Sequence, residues 1–174
     1  MITTVKFAKI REGAIIPSKD LENAGYDIYP CFDEDYMIIP PHETKMIPTG
    51  ICSAFDTDYV IVLKERGSTG TKGIGQRSGI IDSGYRGEWF VPLTNHNNKP
   101  ILIIKKEYSN AYDGIEYFGI RTLNSNYISY PYEKAICQAL LLSVPFADIE
   151  EYTYEEIQAI PSKRGDGCLG ASGK

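Results

Sequence analysis

Short apolar runs separated by Pro, Gly, Asp and Asn fill most of this chain. In "TVKFAKI" Val5, Phe7 and Ala8 stand beside charged Lys6 and Lys9, the pattern of a half-buried strand. "YDIYP", "YMIIP", "TKMIPTGICSAF" and "DYVIVLKER" read as further short strands, as do "WFVPLTN", "PILIIKKEY" and "KAICQALLLSV". Pro40, Pro41, Pro48, Pro92 and Pro145 sit inside or beside these runs, where a long helix would break but an edge strand or bulge would not. Only "TYEEIQA" (153–159) has a helical signature, with Thr153 placed to cap and Glu156 three residues later. The pattern predicts an all-β fold, a β-sandwich or distorted jelly roll with at most one short helix.

Length and composition narrow this further. A chain of 174 residues with 43% apolar content can bury one proper core, and no linker or internal repeat divides it. Thirteen Tyr, 16 Gly and 10 Pro favour strands and tight turns. A net charge of −5 argues against a general nucleic-acid surface, which needs a basic excess. It leaves room for a small anionic substrate if basic residues are focused locally and a metal helps. Cys31, Cys52, Cys137 and Cys168 form no C-x-x-C pair and only His42 and His96 are present, so a zinc site is not expected. Reduced thiols are expected, in a cytoplasmic protein. "MITTVKFAKIREG" lacks a secretion-signal pattern and no apolar run reaches membrane-span length.

Five blocks carry candidate chemistry. In Gly79-Ile80-Ile81-Asp82-Ser83-Gly84-Tyr85-Arg86-Gly87-Glu88, two β-branched residues deliver an acid to a strand end and a Gly reverses the chain, as in a β-hairpin with a site at its tip. Ala24-Gly25-Tyr26-Asp27-Ile28 places an acid at a strand start after a permissive Gly. Glu65-Arg66-Gly67-Ser68-Thr69-Gly70 offers a guanidinium, hydroxyls and backbone N–H groups, the donors a polyphosphate needs. In Lys134-Ala135-Ile136-Cys137-Gln138 an amide stands in an apolar strand, where it requires partners. Arg164-Gly165-Asp166-Gly167-Cys168-Leu169-Gly170-Ala171-Ser172-Gly173-Lys174 is rich in Gly and lacks any strand or helix pattern.

In this order the blocks resemble the five motifs of the trimeric dUTPase family, spanning residues 24 to 174. They match A-G-[YF]-D-[LI], R-S-[SG]-[LT], the aspartate hairpin, G-[DE]-[RK]-I-[AV]-Q and the terminal R-G-x-G-G-F-G-S-T-G arm. The resemblance implies a dUTPase-like jelly roll over residues 1–163, with an insertion at about 107–133, and a flexible arm over 164–174. It implies that Asp82 is the general base, that Asp27 holds Mg²⁺ through water, and that Arg66, Gly67, Ser68, Gln138 and Arg164 meet phosphate. Tyr85 would pack on the deoxyribose, and Gln76, Gly79 and Ile81 would form the base-binding hairpin around 74–81. Leu169 and Ser172 would belong to the lid. Three departures stand out: Gly67 replaces the family's first Ser, the basic residue of the fourth motif is displaced to Lys134, and Leu169 replaces the arm's Phe. Trp89 or Phe90 is a candidate to supply the lost stacking.

The implied activity is hydrolysis of dUTP to dUMP and pyrophosphate, with Mg²⁺ as cofactor, in a homotrimer whose sites lie between subunits. No nucleic-acid or membrane partner is implied. Two alternatives remain at this level: a dCTP deaminase or bifunctional deaminase–dUTPase on the same fold, and a regulatory binding protein on a dUTPase scaffold. The Tyr-rich 107–133 segment motivates the second, because exposed Tyr is favoured at contact surfaces; a packed hairpin covering the sandwich explains it equally.

Overall fold

The computed structural model describes residues 3–77, 79–108 and 126–166 and, for the backbone alone, 114–117 and 120–123. The chain divides into two compact units, Met1–Val144 and Pro145–Lys174. The first is built from small sheets. β1 (Lys6–Lys9) pairs antiparallel with β5 (Ile51–Ala54). β9 (Phe90–Asn95) lies between β4 (Thr44–Pro48) and β7 (Ile74–Gln76). The sheet of β2 (Tyr26–Ile28), β14 (Cys137–Ser143), β6 (Tyr59–Lys64) and β8 (Ile80–Ile81) runs in that spatial order. β10 (Ile101–Ile104) pairs antiparallel with β3 (Tyr36–Ile39) and parallel with β13 (Ile128–Pro131). β11 (Gly114–Tyr117) and β12 (Ile120–Leu123) form a separate hairpin.

Alternation along the strands builds the core. Ile61 and Leu63 of β6 turn inward, as do Val91 and Leu93 of β9 and Cys137 and Ala139 of β14. Trp89 stands edge-on to Phe7 at 5.4 Å between ring centres. β10 is buried on both faces: Ile101 and Ile103 enter the main core, while Leu102 and Ile104 pack with Tyr36, Ile38, Tyr108 and Tyr127. A continuous apolar strand is what two covered faces require. Pro92 is tolerated inside β9 because its carbonyl, and therefore its nitrogen, faces past the end of β7, where it accepts from Arg77 N at 3.0 Å.

Helix content departs from expectation. Besides α2 (Tyr154–Ala159), capped by Thr153 as the sequence predicts, a single turn α1 (Gly67–Gly70) forms, and Lys106–Tyr108 makes a 3₁₀ turn. The Thr69 hydroxyl drives α1: it accepts from Arg66 N at 3.2 Å and donates to Arg66 O at 2.8 Å. The 107–133 segment also departs from a solvent-facing tyrosine surface. Tyr130 is fully buried, Tyr132 meets Phe32 edge-on at 4.9 Å, and Tyr108 and Tyr127 pack under β10. Tyr112 lies outside the described residues, as does the side chain of Tyr117.

Burial pushes the Cys137 thiol up from an ordinary 9.0 to about 12. A raised folded pKa favours the protonated form in the fold, so its contribution is intact below about 9 and is lost as pH rises from there toward 12. Native protein is expected to leave Cys137 unalkylated by iodoacetamide at pH 8, and thermal unfolding is expected to move to lower temperature above pH 9. Rapid native-state labelling of Cys137, read by peptide mass mapping, would contradict the burial.

Candidate active site

Asp27 stands in the middle of β2 and faces Gln138 of β14 directly across the ladder. Lys64, at the end of β6, is Gln138's partner on the other side. The chain leaves β6 through Glu65 and delivers Arg66 to the same place. Arg66 Nε lies 3.2 Å from Asp27 Oδ1, and Nη2 donates to Oδ2 at 3.3 Å, a forked pair with both side chains partly exposed. Arg66 Nη1 also donates to the carbonyl of Ala135 at 3.1 Å. Gln138 Nε2 donates to Glu65 O at 3.1 Å, while Glu65 Oε1 accepts from Gln76 N at 3.1 Å. Gly25 makes this closeness feasible: a Cβ there would lie 2.6 Å from Gln138 Oε1 and 2.9 Å from its Cβ. Asp27, Arg66 and Gln138 are thus brought together, with the Gln76 backbone tied to their edge through Glu65 and Ser68 part-exposed on α1 just after Arg66. Gly67 has open space where a Cβ would sit, so packing does not demand glycine there.

Asp82 belongs to a second cluster. Ile80 and Ile81 pair with Val62 and Ile61 of β6, and β7 pairs with β9. Residues 74–81 are therefore not a ladder-paired hairpin: the chain switches sheets between Arg77, bound to Pro92 O, and Gly79, whose carbonyl accepts from Leu63 N at 2.8 Å. Gly79 itself faces open space. After Ile81 the chain turns, with Tyr85 N donating to Asp82 O at 3.0 Å. The Tyr85 ring folds over Gly87, where any Cβ would collide with it, and its hydroxyl donates to Glu88 O at 2.9 Å. Glu88 is anchored in turn by Arg11, at 2.9 and 3.0 Å, and by Gly50 N at 2.9 Å. An acid and a locked aromatic ring therefore share one rim.

That rim borders an open pocket of about 250 Å³ lined by Met46, Ile80, Ile81, Asp82, Tyr85, Glu88 and Phe90. Phe90 is 37% exposed there, whereas Trp89 is 0% exposed against Phe7. Adjacent strand residues face opposite ways, so of the two aromatic candidates Trp89 is excluded. Of the fifth block, Arg164 and Asp166 are described and Leu169 and Ser172 lie outside the described residues.

The two clusters lie at opposite ends of β6. Asp82 follows Ile81 on the Val60 side, and Arg66 follows the other end. At about 3.3 Å per residue the run from Val60 to Arg66 spans about 20 Å. A single copy does not bring the acid of the third block to the guanidinium of the second.

Among the described residues, no group of three or more His, Cys, Asp or Glu side chains could chelate a metal directly. The sequence pointed to the acids, Arg66 and Tyr85. It left Glu65 without a role, although one carboxylate and one carbonyl of that residue hold both Gln76 and Gln138; its place beside Arg66 was the available signal.

Comparison with known proteins identifies the family and the fold. The family model described as dUTPase matches residues 11–108. The chain is 31% identical to the deoxyuridine 5'-triphosphate nucleotidohydrolase of Nautilia profundicola over 98% of its own length and 99% of the relative's. It is 29% identical to the enzyme of that name from Debaryomyces hansenii, over 94% and 83%. In fold it matches a mutant dUTPase of Staphylococcus bacteriophage 80alpha, solved with dUpNHpp, with TM-score 0.73 at 19% identity over 98% and 99% of the two chains. A mutant dUTPase from phage phi11 of S. aureus, whose structure describes a structural Mg(II) ion, matches with TM-score 0.65 at 20% identity over 86% and 96%. On its motifs, its fold and a relative matched from end to end, this chain belongs to the dUTPase family.

Proposed function

We infer that this protein hydrolyses dUTP to dUMP and pyrophosphate. The observation that carries the reading is the gathering of Asp27, Arg66 and Gln138 from three separate motifs onto one end of a sheet, with an acid and a locked tyrosine left over on a separate rim. Asp82 accepts a proton from water, and that water's oxygen bonds to the α-phosphorus as the bond to the bridging oxygen of pyrophosphate breaks. The remaining N–H groups of Arg66, the Ser68 hydroxyl, the Gln138 amide and Arg164 meet the charge growing on the leaving group. Backbone N–H groups around Gly67 add to this donor set in the same reading.

The donor set fits a magnesium ion held through water. One carboxylate, Asp27, is available, and each of its oxygens keeps an acceptor site beyond Arg66. When bound with the nucleotide, Mg²⁺ supplies neutralisation of triphosphate charge. Leu169 and Ser172, with the rest of 164–174, belong to a lid in this reading.

Selectivity follows from rigid walls. Tyr85 cannot yield to a 2′-hydroxyl without losing its bond to Glu88 O. Gln76, Gly79 and Ile81 border the base, where fixed backbone groups discriminate uracil from cytosine; each mispaired buried group costs about 1–3 kcal/mol. Phe90 stacks in place of the arm's missing Phe. Incubating the protein with dUTP, dTTP, dCTP and UTP in Mg²⁺ is expected to consume dUTP at least about 10²-fold faster than dCTP. Equal turnover of all four, or conversion of dCTP to dUTP, would refute it.

The separation of the two clusters motivates an oligomer with sites shared between subunits, and the family pattern makes it a cytoplasmic homotrimer in this reading. Co-refolding Asp82→Asn with Arg66→Ala protein is expected to recover roughly a quarter of parental activity, because sites drawing each group from a different intact copy reappear in a closed oligomer. No recovery in well-mixed oligomers would place both groups of one site on one chain.

A further inference from the structure

We propose that Tyr130 is a positioning residue for the phosphate end of the site, acting through the Ala135 carbonyl on Arg66. The inference rests on Arg66 being a phosphate ligand, as argued above. Tyr130 comes from β13, outside all five motifs, and is 1% exposed. Its hydroxyl donates to Ala135 O at 2.6 Å, the same oxygen that accepts from Arg66 Nη1 at 3.1 Å. A carbonyl oxygen has two acceptor sites. Tyr130 fills one from the buried side and leaves the other directed at the guanidinium.

The consequence for Arg66 is geometric. Nε and Nη2 are held by Asp27 and Nη1 by Ala135, which fixes the guanidinium plane on two sides. One N–H on each terminal nitrogen is left for a ligand. Such a fork meets phosphate in one orientation, and its freedom is removed before binding. Without the Tyr130 hydroxyl the 135–136 peptide loses its buried anchor and the fork loses its second fixed side.

The ring also gathers positive charge. Lys72 Nζ lies 5.5 Å and Lys134 Nζ 6.0 Å from the Tyr130 ring centre. Lys72 follows α1, and Lys134 is the displaced basic residue of the fourth motif. An aromatic face attracts both ammonium groups toward the phosphate end. Burial raises the Tyr130 hydroxyl above the ordinary tyrosine range against the opposing pull of the Arg66 guanidinium close beside it, so it remains a donor at neutral pH and touches Arg66 directly as well as through Ala135 O.

The test is a double-mutant cycle read by binding of a non-hydrolysable dUTP analogue and of deoxyuridine, which lacks phosphate. Tyr130→Phe is expected to weaken the analogue about tenfold and leave deoxyuridine unchanged. In an Arg66→Ala background the same substitution leaves Ala135 O with neither donor, and, compared at a temperature where circular dichroism shows both variants folded, it is expected to have no further effect on binding. Incorporating 4-aminophenylalanine at position 130, which keeps the ring and a donor, is expected to restore parental affinity, and this variant decides the matter if Tyr130→Phe folds poorly. A loss that persists without Arg66, a loss shared by deoxyuridine, or failed rescue would overturn the proposal. Parent protein that binds no analogue would instead overturn the assignment of dUTP as substrate.

Discussion

Asp82→Asn is expected to leave a folded protein whose kcat falls about 10²–10⁴-fold, the contribution of a general base. Asp82 is exposed on its turn, and its backbone carbonyl, not its carboxylate, holds Tyr85 N. Asn keeps the shape of the side chain and removes only its capacity to take the water's proton. Substitution at an exposed position without a packing role shifts stability by no more than about 0.5 kcal/mol. The affinity for a non-hydrolysable dUTP analogue is therefore expected to stay near the parental value. Steady-state kinetics and calorimetry together check this. A variant retaining most of its turnover would move the base elsewhere.

Arg66→Ala is expected to lower kcat/KM by about 10²–10³-fold, in line with loss of one preorganised donor to transition-state charge. The change removes the partner of Asp27 and one of two donors to Ala135 O. Tyr130 still satisfies that carbonyl, and Asp27 is one-third exposed and can turn to water, so the fold is expected to survive. Lysine at this position keeps the charge but not the fork, and is expected to restore only a minor part of the rate. Full activity in Arg66→Ala would remove the second motif from the site.

Much of this was legible along the chain. Alternation marked β1, β6, β9 and β14, and the box from Thr153 to Glu156 marked α2. The family motifs nominated Asp27, Arg66, Asp82 and Gln138, and the fold gathers Asp27, Arg66 and Gln138 into one place. What escaped depended on distant partners. Ile80 and Ile81 suggest a local hairpin, yet their pairing is with β6, some twenty residues upstream. α1 begins and ends in glycine, a poor helix former, and exists because one threonine hydroxyl bridges Arg66 N and O. Trp89 and Phe90 are equivalent aromatics in sequence; only the position of Phe7 decides which turns inward. The Tyr-rich stretch leaves Tyr130 open in sequence between a contact surface and packing, and it is buried because β13 continues the sheet beside β10. In each case a long-range contact overrode the local signal.

Hydrolysis of dUTP in H₂¹⁸O, with products resolved by mass spectrometry, tests the central assignment most directly. Attack on the α-phosphorus predicts dUMP carrying one ¹⁸O and unlabelled pyrophosphate in equal amounts. Label in pyrophosphate, release of dUDP and inorganic phosphate, or intact dUTP would contradict it.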